Sequence, residues 1–200
     1  PRCCSSAASD VYKRQIDKTS DKEVFIGKMI PGRGAWLEFD TDKRDTLGVR
    51  VDRKRRQHIT GFLMALDVIE NKEDAIELLG DYPSVHNTIE RDPDTTREAA
   101  LIDLYRKLRP GEPASVESAR NLVKQMFYTP KRYDLTKVGR YKVEQKLGRQ
   151  YGEKDAETYS TEDDGMLRIE DMIDSIKYVI ALHAGEESFV NNLGKEIPVK

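Results

Sequence analysis

Hydrophobic and polar positions change period once along this chain, and the change divides it into two parts. Over residues 23–52 the period is that of strands: EVFIGKMI alternates imperfectly and AWLEFD cleanly, with Trp36 and Glu38 on one face and Leu37 and Phe39 on the other. LGVRVD then sets Val49 and Val51 opposite Arg50 and Asp52. Pro31, Gly32 and Gly34 punctuate the first two runs, and the acidic turn DTDKRDT separates the last two. The pattern predicts three antiparallel strands, with one apolar face and one face carrying an arginine row.

Beyond Gln57 the period becomes helical. Ile59, Phe62, Leu63 and Leu66 share a stripe, although Gly61 within it costs about 1 kcal/mol relative to alanine. A short helix over residues 73–79 can end at Gly80, and residues 81–94 read as turn-rich. Thr95 and Glu98 make a capping box for a helix bearing Leu101, Leu104, Tyr105 and Leu108, which stops at Pro110-Gly111. Ser115 caps the next, with Val116, Ala119, Val123, Met126 and Phe127 as its stripe. A basic stretch over residues 128–150 runs into a polar, acidic loop over 151–164. Ile169, Met172, Ile173, Ile176, Val179 and Ile180 then form the strongest amphipathic pattern. The fold class is α+β: a small antiparallel sheet near the N-terminal part (strands about 23–52), followed by a mainly helical lobe (helices about 58–183).

Composition adds bounds. Two hundred residues suit one domain with a substantial core, and 35% charged against 38% hydrophobic residues is compatible with a folded chain. No apolar run reaches the roughly 18 residues of a membrane span and no secretory h-region is visible, so the expectation is a cytoplasmic protein with no membrane partner. Residues 1–15, PRCCSSAASDVYKRQ, have no periodicity and resemble translated sequencing read-through; they are set aside as a disordered scar, leaving a domain over 16–200 that is incomplete at both ends. Both cysteines, Cys3 and Cys4, lie there, so the remainder offers no disulfide, thiolate metal site or cysteine nucleophile. Charge is segregated: residues 120–149 hold nine Lys or Arg against Asp134 and Glu144, while residues 150–200 hold twelve acids against five bases. One surface is thereby expected to meet a polyanion and another to face water or a basic neighbour.

Catalytic signatures are missing. Asp40, Asp42 and Asp45 lack the glycine and the bidentate glutamate of a calcium hand and read as a solvated turn; His58, His86 and His183 have no ligand spacing. No GxSxG, GxxxxGK[ST] or GxGxxG is present. What remains is basic and aromatic. Arg50, Arg53, Lys54, Arg55 and Arg56 sit where a strand gives way to a helix, either as a solvated face or as a grip on successive phosphates. Lys131, Arg132, Tyr133, Lys137, Arg140, Tyr141 and Lys142 form a second basic group with tyrosines interleaved. Trp36, the one tryptophan, stands near Arg33 and two glycines, either as core or as a platform for an unpaired base.

MIPGRGAWLEF, DKRD, VRVDRKRR, KLRPGEP and PKRYDLTKVGRYKVEQKLG, in this order and spacing, resemble the lobe region of the β subunit of bacterial DNA-directed RNA polymerase, over residues 17–200. The resemblance implies transcription by a multisubunit nucleotidyltransferase, of which this chain would be an internal piece without catalytic residues. It implies a magnesium cofactor held by another subunit, none bound here, and partners in the β′, α and ω subunits, sigma factor and DNA. The lobe would be one wall of the downstream DNA channel, touching duplex backbone and non-template strand. Trp36 would stack on a non-template base, and Arg109 of RPGEP would border the pocket for its neighbour; Arg33, Arg50, Arg53, Lys54, Arg55 and Arg56 would contact nucleic acid. His58 and Met64 depart from the family pattern, and the pocket's remaining members would follow Lys200. Two other readings stay open: an autonomous nucleic-acid-binding module, and a scaffold whose basic groups dock acidic subunits.

Overall fold

The alternating runs pair in chain order. The computed structural model describes residues 11–16, 23–149 and 165–199. In it β1 (Val11–Ile16), β2 (Glu23–Met29), β3 (Leu37–Thr41), β4 (Leu47–Val51) and β5 (Gln57–His58) form one antiparallel sheet in sequence order. The three middle strands are those the pattern predicts. The edge strand β1 corrects the expectation of a structureless residue 1–15 stretch over Val11–Gln15. VYKRQI is short and mostly polar, and its signal becomes legible only beside the ladder it makes with β2. Residues 1–10, with both cysteines, and the predicted loop at 151–164 lie outside the described residues.

Strand β3 also departs from the two-faced pattern, because every one of its residues is buried. Leu37 and Phe39 join the hydrophobic core. On the opposite face Glu38 meets Lys28 Nζ at 2.9 Å and Asp40 meets Arg56 Nε at 2.5 Å, so the polar row is covered and charge-compensated instead of solvated.

Seven helices follow among the described residues: α1 (Ile59–Ala65), α2 (Asp74–Leu79), α3 (Pro83–Arg91), α4 (Arg97–Leu108), α5 (Val116–Phe127), α6 (Thr136–Lys146) and α7 (Ile169–Ala184). The turn-rich reading of residues 81–94 is corrected by α3. Its buried side is Ser84, Val85 and Thr88, and two of those three are hydroxyls that a hydrophobic stripe does not count. Thr88 Oγ1 donates to the Ser84 carbonyl at 2.6 Å and accepts from Leu47 N at 2.8 Å, which ties the helix to β4. The cap of α4 moves by one residue, to Thr96, whose hydroxyl accepts from Ala99 N at 3.2 Å. Ser115 caps α5 as expected, accepting from Ser118 N at 3.1 Å.

Gly61 finds its reason in close approach. A β-carbon there would lie 2.9 Å from Asp94 Oδ2 and 3.2 Å from Asp92 Oδ2, and the neighbouring Thr60 hydroxyl donates to Asp92. Glycine lets α1 sit against this acidic loop, and the contact offsets its poor helix propensity.

Helix α1 packs on α4, α4 on α5, and α7 on β2 and β3. Phe62 of α1 meets Phe127 of α5 edge to face, with ring centroids 6.3 Å apart, and Phe127 meets Tyr133 at a tilt, with centroids 6.4 Å apart. Tyr133 is fully buried, which corrects its place among the surface residues of the second basic group. Arg140 is corrected for the same reason: it is also fully buried, and its Nη1 donates to Asp171 Oδ2 of α7 at 2.7 Å. Arg149 reaches Asp171 Oδ1 at 2.6 Å and grips Asp174 through Nε at 2.8 Å. Part of the charge segregation is therefore neutralised inside the chain, where the basic stretch meets the acidic one. Burial pushes the Asp174 carboxyl up, while Arg149 and the Asn192 N–H pull it back.

A hairpin of β6 (Ser188–Val190) and β7 (Glu196–Pro198) closes the described chain, beyond the elements the pattern predicts. Asn191 Nδ2 donates to the Leu147 carbonyl at 2.8 Å and Asp174 Oδ1 accepts from Asn192 N at 2.9 Å. The hairpin is thus fastened to the end of α6 and to α7.

Candidate nucleic-acid interface

The turn after β4 builds the site. Lys54 N donates to the Val51 carbonyl at 3.0 Å, and the two residues between, Asp52 and Arg53, have φ of 51° and 58°. Two consecutive left-handed residues are the mark of a hairpin turn that usually carries Asn-Gly, because a β-carbon is strained there. Here the strained pair is put to use. Trp36 N donates to Asp52 Oδ1 at 2.8 Å and Asp52 N donates to the Trp36 carbonyl at 2.8 Å, which continues the β3–β4 ladder by one residue. Arg53 folds back so that its guanidinium lies 4.3 Å from the centre of the Trp36 ring. Trp36 is half-buried, directly before β3, with a cation over its face; it is not a core residue.

Beside this turn opens a cleft of about 370 Å³, lined by Gly34, Ala35, Asp52 and Lys54 from the sheet side and by Leu108, Arg109, Leu122, Gln125, Met126 and Arg132 from the helical side. Lys54 spans its edge, donating from Nζ to the Leu108 carbonyl at 2.6 Å. Arg109 caps the C-terminus of α4. Its Nη1 lies 3.2 Å from Glu112 Oε2, which also accepts from the Tyr105 hydroxyl at 2.9 Å. The Tyr105 hydroxyl and Arg109 hold the Glu112 carboxyl below its usual range, so this acid stays charged and keeps Arg109 oriented.

The loop that carries Trp36 is docked onto the second basic group. Arg33 and Asp134 form an isolated antiparallel bridge, with Arg33 N donating to Asp134 O at 3.0 Å and Asp134 N to Arg33 O at 2.8 Å. Gly34, with φ of 117°, sits against the Arg132 carbonyl and the Tyr133 ring. Two motifs about a hundred residues apart in sequence, PGRGAW and KRYD, thus make one surface.

Of the predicted site residues, the fold brings Lys54 and Arg109 to the cleft and pairs Trp36 with Arg53 at the turn that supplies Asp52 and Lys54 to its lining. Arg33 lies exposed on the adjoining loop and Arg55 exposed on the segment leading to β5. Arg50 and Arg56 turn elsewhere. Arg50 Nε lies 3.4 Å from Asp40, while Arg56 donates to Asp40 and, from Nη2, to the Thr46 carbonyl at 2.7 Å. Arg56 occupies the space over Gly48, where a β-carbon would come 2.2 Å from its Nε. It is a structural strut of the sheet. Arg132 and Asp52 belong to the site although the charge pattern does not single them out: the first lay in a basic group read as a whole, the second in the polar face of a strand. His58, at the start of α1, is half-buried, and burial pushes its imidazole below the ordinary value. It enters the helix as a neutral residue.

The family model for RNA polymerase Rpb2, domain 2, matches residues 8–189. A DNA-directed RNA polymerase subunit beta of Streptomyces avermitilis is 49% identical over 189 residues, which covers 94% of this chain and 15% of the relative. Its counterpart in Paenarthrobacter aurescens is 49% identical over 181 residues, 90% of this chain and 15% of the relative. That of Streptomyces coelicolor is 48% identical over 189 residues, with coverage of 94% and 15%. The chain therefore spans about 15% of the length of these relatives.

Proposed function

Since the chain belongs to the family of RNA polymerase β subunits, within the part that corresponds to Rpb2 domain 2, we propose that it works as part of a DNA-directed RNA polymerase in the cytoplasm, as a wall of the downstream DNA channel. The observation that carries the proposal is a cleft lined by Lys54, Arg109 and Arg132, next in the chain to the turn that sets Arg53 over the Trp36 ring. A flat ring flanked by cations suits an unpaired base of the non-template strand together with its phosphates, and the exposed Arg33 and Arg55 extend the grip along the backbone. The β′, α and ω subunits and sigma factor would be its neighbours in the complex.

The metal-dependent chemistry of RNA synthesis is proposed to lie elsewhere in the enzyme. Of the buried carboxylates, Asp40, Asp171 and Asp174 face arginine nitrogens, a donor set that does not fit a cation. Among the described residues no helix is long and apolar enough to cross a membrane.

Salt dependence tests the backbone contacts. Replacing Arg53, Lys54 and Arg55 together by alanine in the assembled polymerase is expected to weaken downstream-duplex retention equally on all sequences. The slope of log affinity against log salt should fall by up to about 2, at roughly 0.9 for each phosphate contacted by Lys54 and Arg55. Arg56→Ala, which removes the strut on Asp40, is expected to lower thermal stability and leave that slope nearly unchanged. An unaltered slope in the triple variant would count for the remaining reading, in which the basic groups dock an acidic subunit.

A further inference from the structure

We infer that Arg53 is a positioning residue for Trp36: its guanidinium backs one face of the indole and leaves the other face as the platform on which an unpaired base stacks. The inference rests on the reading of Trp36 as a base contact and goes beyond it by assigning Arg53 to the ring instead of to a phosphate.

Three observations converge. The guanidinium lies 4.3 Å from the ring centre, within the range of a cation–π contact. It is delivered by a turn whose two central residues, Asp52 and Arg53, have φ of 51° and 58°, a conformation that favours glycine or asparagine. A backbone strained at two successive side-chain-bearing residues persists where the surroundings over-determine it, and such positions cluster at binding clamps. The tryptophan backbone is fixed by the same turn, with reciprocal hydrogen bonds of 2.8 Å between Trp36 and Asp52. Asp52 therefore holds the main chain of the platform and Arg53 holds its ring. A ring with few rotamers left to lose stacks at smaller entropic cost, which is what preorganisation supplies. Arg55, two residues on, is exposed and is not assigned to the ring, so the two arginines divide into a ring contact and a backbone contact.

The test uses the assembled polymerase with 2-aminopurine placed at successive non-template positions, read as quenching amplitude at saturating DNA so that lost affinity does not enter. Arg53→Gly suits the turn conformation and is expected to leave the thermal midpoint unchanged or raised. It should lower the stacked-to-unstacked ratio at the Trp36-contacting position, read from the quenching amplitude, by about twofold or more, the factor expected for one exposed cation–π contact. Arg53→Lys should keep most of the amplitude, and Arg91→Ala, an equal change of charge at the exposed end of α3, should keep all of it. Wild-type amplitude in Arg53→Gly, or an equal loss in Arg91→Ala, would overturn the inference. If Trp36→Ala itself keeps the quenching, the base-platform reading fails; if Trp36→Ala abolishes it while Arg53→Gly does not, only the positioning role fails.

Discussion

Replacing Arg140 by alanine is expected to lower the unfolding free energy by about 3–5 kcal/mol, the range for breaking a buried ion pair from one side. Arg140 and Asp171 are both fully buried. The guanidinium also donates to the Met166 carbonyl, so it joins the start of α7 and the segment before it to α6. Its removal leaves Asp171 with Arg149 and the Arg168 N–H as partners, inside an interior that cannot resolvate the lost bonds. Lys137→Ala, one helical turn earlier and exposed, is expected to change stability by less than about 0.5 kcal/mol. Urea unfolding of the two variants checks the contrast. Equal midpoints would mean that the α6–α7 network contributes little.

Gly34→Ala is expected to cost about 3 kcal/mol and to act on the interface as well as on stability. The residue has φ of 117°, a region that side chains rarely enter, and a β-carbon would come 2.8 Å from both the Arg132 carbonyl and Tyr133 Cδ2. Backbone strain and overpacking each cost roughly 1–3 kcal/mol, and a carbonyl of the main chain cannot swing aside as the end of a side chain does. The bridge between Arg33 and Asp134 next to it should loosen, and with it the docking of the Trp36-bearing loop on the Arg132–Tyr133 segment. The expected signature is a lowered thermal midpoint together with weaker DNA retention; a midpoint equal to that of the unsubstituted protein would contradict the packing described for this loop.

The middle of the sheet was legible because Leu37, Phe39, Val49 and Val51 alternate, and α5 and α7 because their stripes are apolar throughout. Helix α3 was hidden because Ser84 and Thr88 do in its interface what leucines do elsewhere. The charged residues were the least legible. Arg55 and Arg56 are neighbours in the sequence with opposite fates, and what separates them is a carboxylate on β3 and a glycine on β4 that leaves room for one guanidinium. Arg140 looked like a surface charge because its partner, Asp171, lies 31 residues away. Composition cannot announce such pairs, since a pattern records the type of a residue and not what it meets. The PGRGAW and RPGEP motifs pointed to Trp36 and Arg109 through family resemblance, whereas the turn that puts Arg53 over the ring rests on backbone conformation.

The central claim is that the cleft between the β4–β5 turn and helices α4 and α5 faces nucleic acid. A photo-crosslinking side chain placed at Arg132 on the cleft lining, and in a separate preparation at Leu193 in the exposed turn of the β6–β7 hairpin, tests it most directly in the assembled polymerase with strand-labelled DNA. The account predicts labelling of the DNA from position 132 and none from position 193. Labelling of a neighbouring protein subunit from position 132, with the DNA untouched, would contradict it.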